Sequence, residues 1–326
     1  MSHPDPKPTN SPHFKRALRD RLANLDANVP IRLLGPRGVG KRTLASRLPD
    51  LSIETSERRH NPLDQSLRSA HPSIRVHPLL VHEIGIQSPD QFERFLIQGG
   101  FPGADWQIQP VSHQATLPAH LIDTLDAAAP RSQDPLVTHT WLKALYDSVG
   151  QPLSVHRLAG RLSITDQSFR QWLAQLESHF GLFQLTPLQS PTGRASFRAL
   201  KKNTKAYPYA WHLCPNRHSR LEALIANHLL AWIENQTDLG GAALTLNYFR
   251  DCDQREVDFV VMKNQQPILM VQCDSQTHHR NKHLSYLHRK YPNAQAWHVS
   301  LDGPIEARLF GNVQTAHPLA LLWGLA

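Results

Sequence analysis

Cysteine and long apolar runs are both scarce in this sequence. Only three of its 326 residues are cysteines, and no two of them form a C-x-x-C pair. A disulfide framework and a thiolate zinc site are therefore not expected, and a reducing compartment fits best. No stretch approaches the ~18 consecutive apolar residues of a transmembrane helix, and the polar, proline-rich N-terminus lacks the apolar core of a signal peptide. We expect a cytoplasmic protein with no membrane partner.

The chain does have enough apolar sequence for a large core, together with an excess of basic charge. Hydrophobic residues make up 40% of the chain, and 35 Lys and Arg against 27 Asp and Glu give a net charge of +8 at pH 7. The charged fraction of 19% is too low for a highly charged disordered chain. At roughly 150 residues per domain, the length indicates two or more domains. The composition therefore favours a mildly basic, multidomain globular protein.

A glycine-rich loop lies between a predicted strand, residues 31–34, and a predicted helix, residues 41–48. Its sequence, GPRGVGK, fits G-x-x-x-x-G-K, in which glycines let backbone N–H groups surround a phosphate and the lysine adds a charge. The next residue should be a Ser or Thr that holds Mg²⁺, but it is Arg42, which cannot bind a cation, and Thr43 comes one position late. The motif indicates ATP as ligand, whereas Arg42 argues against Mg²⁺. The predicted nucleotide-binding residues are Gly35, Gly38, Val39, Gly40, Lys41, Arg42 and Thr43.

Nucleotide hydrolysis also needs an acidic residue at the end of a second buried strand. No run of four apolar residues ending in Asp or Glu occurs between Lys41 and Gly99. The nearest candidates are Glu54, interpreted as a strand-edge carboxylate, and Glu83, interpreted as a solvent-facing one. We therefore predict ATP binding at most weak and no ATPase activity above background.

Seven segments of the chain carry a resemblance to a known family. They are, in order, GPRGVGKRTL, RVHPLLVHEI, FERFLIQGGFP, a winged-helix pattern, RALKKNTKAYPYAWHL, RLEALIANHLL and REVDFVV. Together they resemble, over about residues 15 to 305, a prokaryotic family of AAA ATPases whose C-terminal domain, the domain of unknown function 4143, looks like a nuclease fold. In that family two further strands, one with the catalytic acids, separate the phosphate loop from the sensor strand, and the 21 residues from 42 to 62 are too few for them. The resemblance thus implies a truncated, three-stranded half-domain.

The resemblance to nucleases extends to the acidic positions of the C-terminal region. Such nucleases bind a metal ion with two carboxylates and orient water with a lysine, using an acid on one strand and E-x-K on the next. Here Asp258 supplies the first acid, but the tripeptide reads Gln272-Cys273-Asp274, and Glu222 matches an upstream helix glutamate. These acids could clamp a cation or pair with Arg250 or Arg255. With an amide and an acid at the E-x-K positions, we expect no nuclease chemistry.

Residues 151–200 have the pattern of a winged helix-turn-helix, and basic residues follow it. Aromatic residues are interleaved with these basic residues, which is typical of a nucleic-acid groove. The alternative is that the aromatics pack in the core and the lysines lie in a solvated loop. His279 and His283 have a chelating spacing but no third ligand, so we predict no metal site there. The candidate nucleic-acid-binding residues are Arg170, Lys201, Lys202 and Lys205.

These patterns predict an α/β protein with a truncated AAA-type phosphate-loop half-domain, a winged helix and a nuclease-like α/β domain. The leading hypothesis is a degenerate AAA-family protein that binds ATP or phosphate with little or no hydrolysis and acts as a binding or scaffolding protein, with a protein partner or self-association. One alternative is a DNA-associated ATPase completed by a partner chain, and another is a winged-helix DNA-binding protein. The predicted bounds are 1–12 (disordered tail), 13–103 (phosphate-loop domain), 104–150 (helical linker), 151–200 (winged helix) and 201–326 (nuclease-like domain).

Overall fold

A computed structural model describes residues 18, 22, 29–49, 51–57, 72–102, 135–188, 203–238, 240–274 and 281–325. These residues form a three-stranded sheet, an eight-stranded sheet and helices packed against both, so the chain is mixed α/β, as predicted. Within this part of the chain, no helix is long and apolar enough to cross a membrane. The predicted disordered tail and the predicted site residues Lys201, Lys202 and His279 lie outside the described residues.

The small sheet is parallel and has the predicted strand β1 (Ile31–Leu34) at its centre. Strands β2 (Ile53–Ser56) and β3 (Ser73–Arg75) pair with β1 on either side, giving the order β2-β1-β3. The central strand is apolar because it is covered on both faces, and Leu33 is fully buried. The small sheet thus has one central strand with one parallel neighbour on each side.

The segments around the small sheet are short helices. Helix α1 (Lys41–Ala45) follows the glycine-rich loop and ends three residues earlier than predicted. Helix α2 (Val81–Ile84) and helix α3 (Pro89–Gln98) follow β3. The side chain of Ser88 accepts a hydrogen bond from the N–H of Gln91, which is the capping contact that starts α3.

The next elements along the chain are helix α4 (Pro135–Tyr146), a pair of helices and a hairpin. Ser154 caps α5 (Val155–Arg161) and Thr165 caps α6 (Asp166–Ser178). Strand β4 (Leu182–Pro187) then pairs antiparallel with β5 (Lys205–Pro208), and a 3₁₀ turn (Trp211–Leu213) follows. Helices α5 and α6 and strand β4 lie within the range 151–200 predicted for the winged helix, whereas β5 begins beyond it.

The large sheet contains the hairpin β4-β5 together with the six strands that follow it along the chain. The C-terminal elements are α7 (Arg217–Asp238), β6 (Leu244–Arg250), β7 (Glu256–Lys263), β8 (Gln266–Asp274), α8 (Lys282–Lys290), β9 (Gln295–Ser300), β10 (Arg308–Phe310), β11 (Val313–Ala316) and α9 (Pro318–Trp323). The strand order of the large sheet is β10-β11-β9-β8-β7-β6-β4-β5, with β7 antiparallel to both β6 and β8, and β9 parallel to β8. The last three elements, β10, β11 and α9, were not predicted.

Helix α7 packs against both sheets and so connects them. Its central turns from Leu221 to Leu229 are buried, as expected for a helix that is apolar on most of its circumference. Near its end, Glu234 and Asp238 pair with Arg75 of β3, at 2.8 Å and 2.5 Å. The first half of α7 faces the large sheet and carries Glu222, one of the predicted nuclease-like residues.

Candidate phosphate-binding loop and lysine–carboxylate centre

Three glycines shape the glycine-rich loop (residues 35–41) after β1. Gly38 and Gly40 have φ of 85° and 87°, in the left-handed region where a side chain is disfavoured. At Gly35 a Cβ atom would lie 2.2 Å from the carbonyl oxygen of Val76, so the close approach of the two backbones requires glycine. The conformation of the loop therefore explains all three glycines of the motif.

Lys41 is folded back into the loop. Its side chain is almost fully buried, and Nζ donates hydrogen bonds to the carbonyl oxygens of Gly35 and Pro36, each at 2.8 Å. Burial lowers the pKa of Lys41 to about 8, with Glu57 opposing this shift and Arg42 adding to it. The loop thus holds a desolvated ammonium whose present partners are weak, neutral acceptors.

The other predicted nucleotide-binding residues differ in exposure. Val39 is fully buried, so its side chain anchors the loop on the small sheet. Arg42 and Thr43 are both exposed on the first turn of α1. The structure therefore leaves Arg42 free to approach a bound anion, whereas Thr43 lies one residue beyond the position that holds Mg²⁺ in the motif.

The two acids considered for hydrolysis are each engaged elsewhere. Glu54 lies on the edge strand β2, as predicted, and pairs with Arg32 at 2.9 Å. Glu83 is buried, and its Oε2 accepts the N–H of Leu80 at 3.0 Å, capping α2. The interpretation of Glu83 as a solvent-facing carboxylate is therefore wrong, because its own helix start requires it.

A third acid near the loop was missed from the sequence. Glu57 follows β2, is exposed, and raises the pKa of Lys41 by its proximity. The sequence gives no signal for Glu57, because β2 (IETS) is mostly polar and is not the apolar run that normally precedes a catalytic acid.

A second cluster lies between α7 and the large sheet, and three predicted nuclease-like positions meet there. Asp258 on β7 accepts hydrogen bonds from the Gln272 amide at 2.7 Å and from the backbone N–H of Cys273 at 2.8 Å. Glu222 of α7 faces the same space and is linked to Asp258 by the side chain of Lys205, which contacts both. Asp274 is not part of it, because its half-exposed carboxylate pairs with His298 at 2.7 Å.

Lys205 of β5 lies in the middle of this cluster and is completely buried. Its Nζ is 2.6 Å from Glu256 Oε1, 3.6 Å from Glu222 Oε1 and 3.8 Å from Asp258 Oδ1. The prediction that Lys205 contributes to a nucleic-acid surface is therefore wrong: pairing of β5 with β4 turns this side chain inward. We call Lys205, Glu222, Glu256 and Asp258 the lysine–carboxylate centre.

The charges of the centre shift one another's pKa values. Burial alone would lower the pKa of Lys205, but the combined attraction of Glu222, Asp258 and Glu256 outweighs burial and raises it. Burial, followed by the charge of Glu222, raises the pKa of Asp258 well above its ordinary value. The three carboxylates therefore keep Lys205 charged in spite of its burial. Arg250 was a predicted partner of Glu222, Asp258 or Asp274. It pairs instead with Glu256, at 3.2 Å.

The centre is closed on the Glu222 side. The Tyr207 hydroxyl donates to Glu222 Oε1 at 2.6 Å, and a Cβ atom at Gly150 would lie 2.2 Å from Glu222 Oε2. Tyr207, Tyr209 and Trp211 are all buried to 1% exposure or less. These aromatics were predicted either to line a nucleic-acid groove or to pack in the core. They pack in the core and form no exposed stacking surface.

The nuclease resemblance implies a divalent cation, but the residues of the centre do not fit one. The glutamate of E-x-K is the amide Gln272, which donates to Asp258, and an ammonium stands among the carboxylates. In the part of the chain that the structure describes, no three His, Cys, Asp or Glu side chains are arranged to hold a metal ion. No metal-dependent step is therefore derived from this centre.

The predicted nucleic-acid residues are not brought together. Arg170 is exposed on α6, where its exposed neighbours include the acid Asp166. Lys201 and Lys202 lie outside the described residues, and Lys205 belongs to the buried centre. The described surface thus supplies a single basic residue of the four.

The comparisons with known proteins bear on the C-terminal region only. No curated protein and no solved structure matches the chain. One family model matches, and the match leaves out the glycine-rich loop and the small sheet. The matched region is the C-terminal domain of the AAA-associated proteins that the sequence resembles. Over residues 219–321, from α7 to α9, the chain is similar to the Domain of unknown function (DUF4143).

Proposed function

We propose that this protein binds ATP, or a ligand with similar phosphates, at the loop of residues 35–43, hydrolyses it little or not at all, and acts as a binding or scaffolding protein. The observation that carries this proposal is the buried, desolvated ammonium of Lys41, held by two carbonyls of its own loop. A phosphate oxygen is a far stronger partner for an ammonium than a neutral carbonyl, because both groups are charged.

The rest of the loop supports anion binding. Gly38 and Gly40 have positive φ, and left-handed residues of this kind occur in the turns whose successive backbone N–H groups bind anions. Arg42 is exposed beside the loop and adds a permanent positive charge that can form two hydrogen bonds to a phosphate. The loop can therefore offer a phosphate two side-chain charges in addition to its backbone.

The same loop lacks the means of hydrolysis. Arg42 replaces the hydroxyl that would hold Mg²⁺, and the carboxylates of Glu54 and Glu83 serve Arg32 and the start of α2. Mg²⁺ normally needs one or two carboxylates and a hydroxyl beside the phosphates. Glu57 is the acid to test, because it is exposed and lies close enough to the loop to raise the pKa of Lys41.

Nucleic-acid binding has less support. Of the four candidate residues, only Arg170 is described at the surface, and the aromatics meant for base stacking are core residues. Phosphate contacts from several basic residues supply most of the affinity in non-specific binding, and this surface supplies few of them.

The experiment compares wild type, Lys41→Ala, Glu57→Gln and the control Lys263→Ala, an exposed lysine at the end of β7. Thermal unfolding with and without ATP measures binding, and phosphate release measures turnover. We expect ATP to raise the Tm of wild type, Glu57→Gln and the control, but not of Lys41→Ala, with no turnover in any of them. Absence of ATP stabilisation in wild type contradicts binding, and turnover lost in Lys41→Ala or Glu57→Gln contradicts the catalytic part.

A further inference from the structure

The lysine–carboxylate centre poses an electrostatic problem that is independent of the glycine-rich loop. Three carboxylates, Glu222, Glu256 and Asp258, converge on one point between α7 and β7, and Glu222 and Asp258 are 3% and 7% exposed. Buried carboxylates that lie this close together are strongly destabilising unless a cation stands between them. The chain must therefore provide a cation at this point.

The cation that the chain provides is Lys205. All three carboxylates lie within 3.8 Å of its Nζ, and the side chain is fully enclosed. Its ring neighbour, Tyr248, lies with its centroid 5.2 Å from Nζ and adds further cation stabilisation. Two further basic side chains touch the rim of the centre: Arg250 lies 3.2 Å from the outer oxygen of Glu256, and the half-exposed His218 lies 3.7 Å from Glu222 Oε2.

The surroundings keep this ammonium in place. Tyr207 and the backbone of Gly150 close the Glu222 side, and the Gln272 amide together with the Cys273 N–H occupies one oxygen of Asp258. An ion from solvent would have to displace these contacts as well as the lysine. The arrangement differs from a metal centre, in which carboxylate oxygens face an ion that water can reach.

We infer that Lys205 is a built-in cation that takes the place of a divalent metal ion: the native centre binds no metal, and removal of the ammonium creates a site for a hard divalent cation among Glu222, Glu256 and Asp258. Oxygen-only ligands of this kind suit Mn²⁺ and Mg²⁺ rather than softer metals. The nuclease-like arrangement of acids is thereby retained as a structural feature that carries no metal chemistry.

The experiment measures the Tm of wild type and Lys205→Ala in EDTA and in saturating MnCl₂. In EDTA we expect the variant to lose about 10 °C, since it leaves buried carboxylates without their cation. Mn²⁺ should restore most of this loss in a saturable manner and leave wild type unchanged. Lys263→Ala, which removes an exposed lysine from the same sheet, should behave as wild type.

Two further variants keep the test decisive. In Lys205→Ala/Glu222→Gln, which retains an acceptor for Tyr207, the recovery with Mn²⁺ should be lost. Lys205→Ala/Asp258→Asn removes one charge of each sign and should fold in EDTA. A Lys205→Ala variant that folds but ignores Mn²⁺, or that stays unfolded in Mn²⁺, overturns the inference. Stabilisation of wild type by Mn²⁺ that disappears in Glu222→Gln overturns it as well.

Discussion

Arg75 of β3 donates to the carboxylate of Asp238, 163 residues later in the chain, from both its backbone N–H at 2.8 Å and its guanidinium. A third contact joins the same guanidinium to Glu234 at 2.8 Å. These bonds attach β3 to the end of α7. Directly after β3, the backbone of Val76 packs against Gly35 of the glycine-rich loop. The loop is therefore connected, through β3, to the helix that begins the region similar to DUF4143.

The first prediction concerns this anchor. Arg75→Ala should lower the free energy of unfolding by about 2–4 kcal/mol, because it removes the guanidinium that two largely buried carboxylates share. Glu234 then keeps its contact with His77, at 2.9 Å. Arg32→Ala is the matched control, since Arg32 pairs with the exposed Glu54 and should cost at most about 1 kcal/mol. Urea unfolding followed by circular dichroism measures both. Equal losses in the two variants would show that the anchor adds nothing beyond a surface pair.

The second prediction concerns acid stability and His228. Burial lowers its pKa to about 3, and the neutral ring accepts the Val81 N–H at 3.1 Å while its Nδ1 contacts the Leu224 carbonyl at 2.9 Å. In the unfolded chain His228 binds a proton near pH 6.5, whereas in the folded protein it stays neutral down to about pH 3. Stability should therefore be fully present above about pH 6.5 and fall toward pH 3, by up to about 1.4 kcal/mol per pH unit.

The measurement is urea unfolding across this pH range for wild type, His228→Gln and His156→Gln. His156 is 93% exposed at its side chain and serves as the control. The slope of stability against pH should be shallower in His228→Gln and unchanged in the control. A slope that His228→Gln leaves intact would assign the acid sensitivity to other groups.

The third prediction concerns the pH dependence of ligand binding at Lys41. Because burial lowers the pKa of Lys41 to about 8, the ammonium that a phosphate would contact is lost as pH rises through that value. ATP affinity should therefore decrease above about pH 8, well before an exposed lysine would deprotonate near pH 10. Isothermal titration at several pH values measures it. Affinity that stays constant until about pH 10 would place the ligand away from Lys41.

The fourth prediction tests the closure of the lysine–carboxylate centre. Gly150 and Gly240 have nearly equal φ values, 81° and 77°, but a Cβ atom would strike Glu222 at the first position and meet open space at the second. Gly240→Ala should cost about 1 kcal/mol for its backbone strain. Gly150→Ala should cost about 2 kcal/mol more, because the Glu222 carboxylate must move. Equal costs at the two sites would mean that the centre is open near Gly150.

Much of the local structure follows from the sequence. The bounds of β1 and β6 match their apolar patterns, and those of α6 and α8 match their caps and periodicity. Gly38 and Gly40 have the positive φ that explains a glycine at each position. The signals are local in each of these cases, because a cap or a tight turn depends on residues only a few positions apart.

The centre could not be predicted in the same way. The resemblance to the nuclease motif indicates Asp258 and Gln272, whereas the basic stretch around Lys205 predicts a surface position for that lysine. Its burial depends on the pairing of β5 with β4 and on carboxylates 17 to 53 residues away, and charge in sequence carries no information about that pairing. Glu57 was missed for a related reason, since an edge strand need not be apolar.

The central claim is that the loop binds triphosphate without the magnesium chemistry that would cleave it. Isothermal titration of wild type with ATP, in EDTA and again in Mg²⁺, followed by assay of released phosphate in the same samples, tests it most directly. We predict one binding event of similar affinity under both conditions and no phosphate released above background. Binding that requires Mg²⁺, accompanied by phosphate release that stops in Lys41→Ala, would contradict the claim.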